Sequence, residues 1–132
     1  MELTSILADA IEQNASDVFI SVYAPPLIKA NGIMRPIDGN AEPLDVGQNQ
    51  NLIYSILNDR ESAEFEEKYE LNKSLHVPSV GRFRVNVFRQ RGEPALVARH
   101  IKDRIPSIKS LGLPEALKDL IMEERGLLLV VG

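Results

Sequence analysis

The chain has no cysteine, no tryptophan and only two histidines, His76 and His100. Without cysteine there is no disulfide framework and no thiolate metal centre. Two imidazoles are too few for a histidine-based metal site, so both are expected to be structural or solvated. Long apolar runs are missing too: none approaches the ~20 residues that span a bilayer, and Met1-Glu2-Leu3-Thr4 lacks the basic start of a secretory signal. The expectation is a cytoplasmic protein without direct membrane insertion. Nor is there an excess of basic charge, since the formal net charge is −4. That argues against nonspecific capture of nucleic acid or anionic lipid, which clustered Lys and Arg drive. Any anion site must be local.

What is present suits one ordinary domain, or a small domain with part of another: 132 residues, 44% of them hydrophobic, are enough to build a core. Leu3, Ile6, Leu7, Ala10 and Ile11 recur at three- and four-residue spacing and predict a helix ending near Asn14. Asp17 to Val22 is β-branched and aromatic and reads as a strand stopped by Pro25-Pro26. Asp17, next to Ser16, is expected to cap a local turn. Leu27 to Ala30 and Ile33 to Pro36 flank Asn31-Gly32, a dipeptide that tolerates the positive φ of a tight hairpin. Asp45 can cap a helix carrying Leu52, Ile53, Ile56 and Leu57, and the charged run Glu61 to Tyr69 reads as a second helix with a solvated face. Strands follow at Leu71 to Val77, Arg82 to Gln90 and Ala95 to Ile101, the last two joined around Arg91-Gly92-Glu93. With no crossover helices between them, the sheet should be mostly antiparallel.

The character changes after Ile101. Residues 102–110 are polar, contain Arg104 and Pro106, and read as a linker. From Pro114 a helix is expected, with Leu113, Leu117, Leu120 and Ile121 as its apolar stripe, ending before Gly126. Leu127 to Val131 is apolar on both faces, as in the central strand of a parallel sheet. A buried strand followed by glycine is how a phosphate-binding loop begins, so Gly132 is a candidate first residue of such a loop. On this reading the chain stops inside a domain. The lysine and hydroxyl that serve hydrolysis would lie beyond it, so no catalytic residue is expected here.

Several segments together resemble the PilT/PilU family of type IV pilus retraction ATPases. They are Ala15-Ser16-Asp17-Val18-Phe19-Ile20, Pro25-Pro26 with Asn31-Gly32, the run from Gly81 through Arg84-Val85-Asn86 to Gly92, Arg99 before Ile101, Ile105-Pro106, Leu113-Pro114, and Arg125-Gly126 through Gly132. The resemblance spans essentially the whole chain. It implies an α+β fold: a PAS-like, mostly antiparallel sheet with flanking helices over residues 1–101, a linker over 102–110, and the first helix and strand of a RecA-like α/β ATPase domain over 111–132. It also implies a parent that works as a hexamer with ATP and Mg²⁺, while the fragment itself binds no cofactor and no metal. The implied partners are the ATPase domains of its own and neighbouring subunits and a pilus platform protein at the inner face of the inner membrane. Two alternatives stay open, the corresponding domain of a type II secretion or pilus-assembly ATPase, and a PAS-like ligand-binding or assembly module.

In such motors, arginines of this domain reach the terminal phosphate of ATP, and the matching positions here are Arg84 and Arg99. Strand alternation puts Phe83, Val85 and Val87 on one face and Arg82, Arg84 and Asn86 on the other. If Gln90 pairs with Glu93, Arg84 lies opposite Arg99, whereas a slip of one residue would set Arg99 beside Val85. Facing arginines repel unless an anion sits between them, and a guanidinium grips phosphate oxygens with fixed planar donors. Arg82, Arg89 and Arg91 are weaker candidates, with surface or subunit contacts as the plainer reading.

Overall fold

A computed structural model describes all residues, 1–132, and the chain divides into two compact units, Met1–Ile101 and Lys102–Gly132. In the first unit, helix α1 (Leu3–Glu12) buries Leu3, Ile6, Leu7 and Ala10 along one stripe. It stops short of Asn14, whose φ of 55° is left-handed and breaks the helical bonding pattern. Strand β1 (Ala15–Ile20) follows and ends before the expected Val22. Beyond it the chain turns at Tyr23, where the backbone bonds to Leu44 instead (Tyr23 N to Leu44 O, 2.8 Å).

Strands β2 (Leu27–Ala30) and β3 (Ile33–Pro36) form the expected hairpin. Asn31 and Gly32 have φ of 51° and 78°, the pair of positive values that a two-residue turn needs to match strand twist. Helix α2 (Val46–Tyr54) starts at Asp45, whose carboxylate accepts from Gln48 N at 2.8 Å while Gln48 Oε1 accepts from Asp45 N at 3.0 Å. Helix α3 (Asp59–Lys68) begins before Glu61 because Asn58 makes the same reciprocal cap with that residue. It is more than a solvated run, since Phe65 is fully buried.

The remaining strands are β4 (Glu70–Val77), β5 (Gly81–Gln90) and β6 (Glu93–Ile101). Arg91 and Gly92, at φ of 54° and 82°, close the β5–β6 hairpin in a second turn with two positive φ values. All six strands make one sheet in the order β3-β2-β1-β6-β5-β4, antiparallel throughout. Two meanders, β1-β2-β3 and β4-β5-β6, are thus sewn together by β1 and β6, at opposite ends of the unit's sequence. The three helices cover one face, where Phe83, Val85, Val87, Leu96, Ala98, Val18 and Ile28 meet Leu7, Leu52, Ile53 and Phe65 in a single core. The other face carries the polar alternates and is left open.

The second unit differs from expectation. Its helix α4 is only Ala116–Leu120, with Leu113, Leu120 and Ile121 exposed. Leu127 to Val131 form no strand and are exposed. A doubly apolar strand is stable only when neighbouring strands take its backbone bonds and helices cover its faces, and residues 102–132 supply neither. The preceding segment does hold local structure: Ser107 O accepts from Leu111 N at 3.1 Å, and Ser107 Oγ accepts from Ser110 N at 3.0 Å. No helix in the chain is long and apolar enough to cross a membrane.

Candidate functional site

On the open face, sheet register lines up one residue from each of five strands: Ser74, Arg84, Arg99, Asp17 and Lys29. The Gln90↔Glu93 pairing is present, and Arg84 stands directly opposite Arg99. Around the two arginines lies an open depression of about 610 Å³, lined also by Asn72, Ser74, Asn86 and Ile101. The amides at its edge are ordered, since Asn86 Nδ2 donates to Asn72 Oδ1 at 2.9 Å.

Asp17 is what sequence reasoning missed. Ser16 Oγ does donate to its Oδ2 at 2.7 Å, as a local capping role would suggest, but its other oxygen accepts from Arg99 Nε at 2.9 Å, across 82 positions of chain. The carboxylate is only 7% exposed, while the guanidinium it holds is 71% exposed. Burial pushes the Asp17 pKa up, but the hydrogen bonds from Ser16 and Arg99 and the charges of Arg99 and Lys29 outweigh it and hold the carboxyl below its ordinary value. Asp17 is therefore ionised at neutral pH. A β-bulge between Ala15 and Asp17 lets the Ser16 hydroxyl reach Lys29 O as well, at 3.2 Å. One signal was legible, a carboxylate heading an apolar strand. Its partner was not.

The row thus sets three cations, Arg84, Arg99 and Lys29, against one carboxylate. Arg84 is exposed and makes no ion pair. Arg99 uses only Nε, and its terminal nitrogens have no partner within the chain. Unused, charged, forked donors on adjacent strands are suited to an oxyanion with several oxygens, phosphate above all. The same residues do not suit a divalent cation: three cations surround the one carboxylate, and that carboxylate already accepts from Ser16 and Arg99.

The weaker candidates are placed elsewhere. Arg82 is on the same face but one row along, between His76 and Ile101. Arg91 occupies the hairpin turn. Arg89 is on the helix-covered side, where its guanidinium stacks over Phe65 and Tyr69 at 5.2 Å and 5.4 Å and donates to Glu66 Oε2 at 2.8 Å and Gly92 O at 2.9 Å. Neither histidine enters the depression: His100 packs on Phe83, ring centroids 5.4 Å apart, and His76 lies opposite Arg82. Gly132 is exposed and belongs to no regular element.

No protein-family model matches the chain. It is, however, 40% identical to the type IV pilus retraction ATPase PilT of Pseudomonas aeruginosa and 36% identical to the type IV pilus ATPase PilU of the same organism. Both alignments run over all 132 residues, which are 38% and 34% of those two proteins. The chain therefore spans little more than a third of the length of these relatives. A crystal structure of the pilus retraction motor PilT with bound ADP superposes over 93% of the chain and 36% of that protein, with a TM-score of 0.78 and 32% identity. The six-stranded antiparallel sheet with flanking helices matches the N-terminal region of the pilus motor PilT, so sequence and fold both place the chain in the class of domains found in pilus and secretion ATPases. Within that class, the chain is similar over its whole length to about a third of the PilT and PilU ATPases of Pseudomonas aeruginosa.

Proposed function

We propose that this chain is the N-terminal module of an ATP-driven motor that retracts type IV pili, and that it completes the nucleotide site of a neighbouring subunit through Arg84 and Arg99. The observation that carries the reading is the facing arginine pair, one member unpaired and the other with both terminal nitrogens free. Two like charges held on adjacent strands are unfavourable by themselves and become favourable when a polyanion lies between them. As charge builds on the transferring phosphoryl group, such donors would stabilise it more than they stabilise bound ATP, which is what lowers a barrier.

In this reading residues 1–101 are a PAS-like domain, residues 102–110 a linker, and residues 111–132 the start of a RecA-like ATPase domain with Gly132 opening the phosphate-binding loop. The loop, and the Mg²⁺ that accompanies ATP, would be held by that domain and not by the open sheet face. The whole protein would act as a homohexamer at the cytoplasmic face of the inner membrane, against a platform protein of the pilus machinery. Movement of residues 1–101 about the linker would couple hydrolysis to retraction.

The test is turnover in the full-length protein. Arg84→Ala and Arg99→Ala should each lower kcat by roughly 10²-fold or more, while the urea midpoint of the chain stays near wild type for Arg84→Ala, which loses no intramolecular bond. Wild-type kcat in both variants would sink the assignment.

A further inference from the structure

We propose that Asp17 is a positioning residue: its carboxylate holds the Arg99 guanidinium at Nε, so that the two terminal nitrogens stay presented on the open face for the phosphate oxygens of a nucleoside triphosphate beside Arg84. The inference rests on the nucleotide reading above and adds to that site a residue that touches no ligand itself.

Left alone, Arg99 would be a poor donor. It is a long side chain, 71% exposed, directly opposite another arginine. Repulsion would turn it away from Arg84, and its rotamer freedom would have to be given up at each binding event. Asp17 removes both problems. It sits on the next strand, paired with Arg99 in register, and is itself almost buried. Its carboxylate is immobilised from the other side by the Ser16 hydroxyl, so it cannot swing to follow the arginine. Because a guanidinium is planar, a bond fixed at Nε restricts the direction of both terminal nitrogens. The contact is also economical in donors, leaving free the pair that a phosphate group would accept from. Arg84 has no such anchor, so the two arginines differ: Arg99 is preset and Arg84 is adaptable.

In the full-length protein, Asp17→Asn keeps the shape and one acceptor but removes the charge that holds Arg99. It should lower kcat about tenfold at saturating ATP, a loss of alignment rather than of binding. In an Arg99→Ala background the same substitution should change kcat by less than about twofold, because the residue it acts through is gone. Arg99→Lys, which keeps the charge without the Nε anchor, should lose at least as much as Asp17→Asn. In the 132-residue chain, the Arg99 Nε–H resonance should be slow to exchange at neutral pH and should vanish in Asp17→Asn while the amide spectrum is kept. Wild-type kcat in Asp17→Asn or Arg99→Lys, alongside an impaired Arg99→Ala, overturns the positioning role and leaves the nucleotide reading standing. So does an equal loss from Asp17→Asn in both backgrounds, which would mark a general folding defect. Wild-type kcat in Arg99→Ala is a different result: it removes the nucleotide reading, and this inference with it.

Discussion

Arg89 is predicted to be a structural clamp, and its removal should cost the first unit stability. The side chain bridges α3 and the β5–β6 turn through four contacts. Its Nη1 reaches Gly92 O at 2.9 Å and its Nη2 reaches Glu66 Oε2 at 2.8 Å, and the guanidinium lies over Phe65 and Tyr69. A hydrogen bond to a backbone carbonyl contributes about 1 kcal/mol net. The ion pair adds at most ~1 kcal/mol, since Glu66 is 52% exposed and solvent screens it. Each aromatic contact adds roughly 0.5–1 kcal/mol. Against these stand ~1 kcal/mol of rotamer entropy and ~1 kcal/mol for Nε, which is buried without a partner. The balance is about 0–2 kcal/mol, centred on ~1 kcal/mol in favour of the clamp, and Arg89→Ala should forfeit it. With a urea m-value of ~1.5 kcal/mol/M, the midpoint of the 132-residue chain should fall by roughly 0.7 M. Arg89→Met keeps the apolar stem over Phe65 and deletes the orphaned Nε, so it should lose less than half as much. An Arg89→Ala midpoint indistinguishable from wild type would refute the accounting and return Arg89 to the pool of free surface cations.

Two further predictions concern acid and backbone strain. Burial raises the pKa of Asp17 and of Glu61, but their hydrogen bonds and cationic partners, Ser16 and Arg99 for the first and Lys73 and the Asn58 backbone for the second, bring both below their ordinary values of 3.8 and 4.5. A depressed folded-state pKa means stability that is present in full above the ordinary value and lost as pH falls through the folded one. The urea midpoint should therefore hold steady down to about pH 5 and drop below it, and Asp17→Asn with Glu61→Gln should flatten that drop; an unchanged slope in the double variant would contradict the ion-pair assignment. Gly81 has φ of +147°, and an added Cβ would stand 3.0 Å from His100 Nε2. Gly81→Ala should lower stability by about 1–2 kcal/mol in thermal melts, with partial relief from a second substitution, His100→Ala, whereas a stabilised Gly81→Ala would show that the strain is not real.

Much of the fold was legible because its signals are local. Asn31-Gly32 and Arg91-Gly92 set turns whose two central residues share positive φ, and a two-residue turn dictates which residues face each other. That narrowed Arg99 to two possible partners, Arg84 or Val85, and the structure shows the pairing with Arg84. The reciprocal cap at Asp45 was equally local, and the apolar alternation in β5 told the covered face from the open one. What was not legible shares a cause. Leu127 to Val131 have the composition of a buried strand, yet a strand exists only by pairing, and pairing is not a property of the segment. Arg89 looks like its neighbours in sequence, and only the packing of α3 against the sheet turns it into a clamp.

By itself the sequence determined where the first three helices and the turns lie and the alternation that leaves one face polar, while the β5–β6 register stayed open between two choices. Each of these depends on residues within a few positions of one another, where backbone sterics and side-chain period decide. Tertiary structure alone decided that β1 lies against β6, a junction between the two ends of the unit for which no residue pattern is diagnostic, because any two apolar antiparallel strands can form the same backbone bonds. That junction brings Asp17 to Arg99 and converts an exposed cation beside its like-charged neighbour into one with a fixed direction.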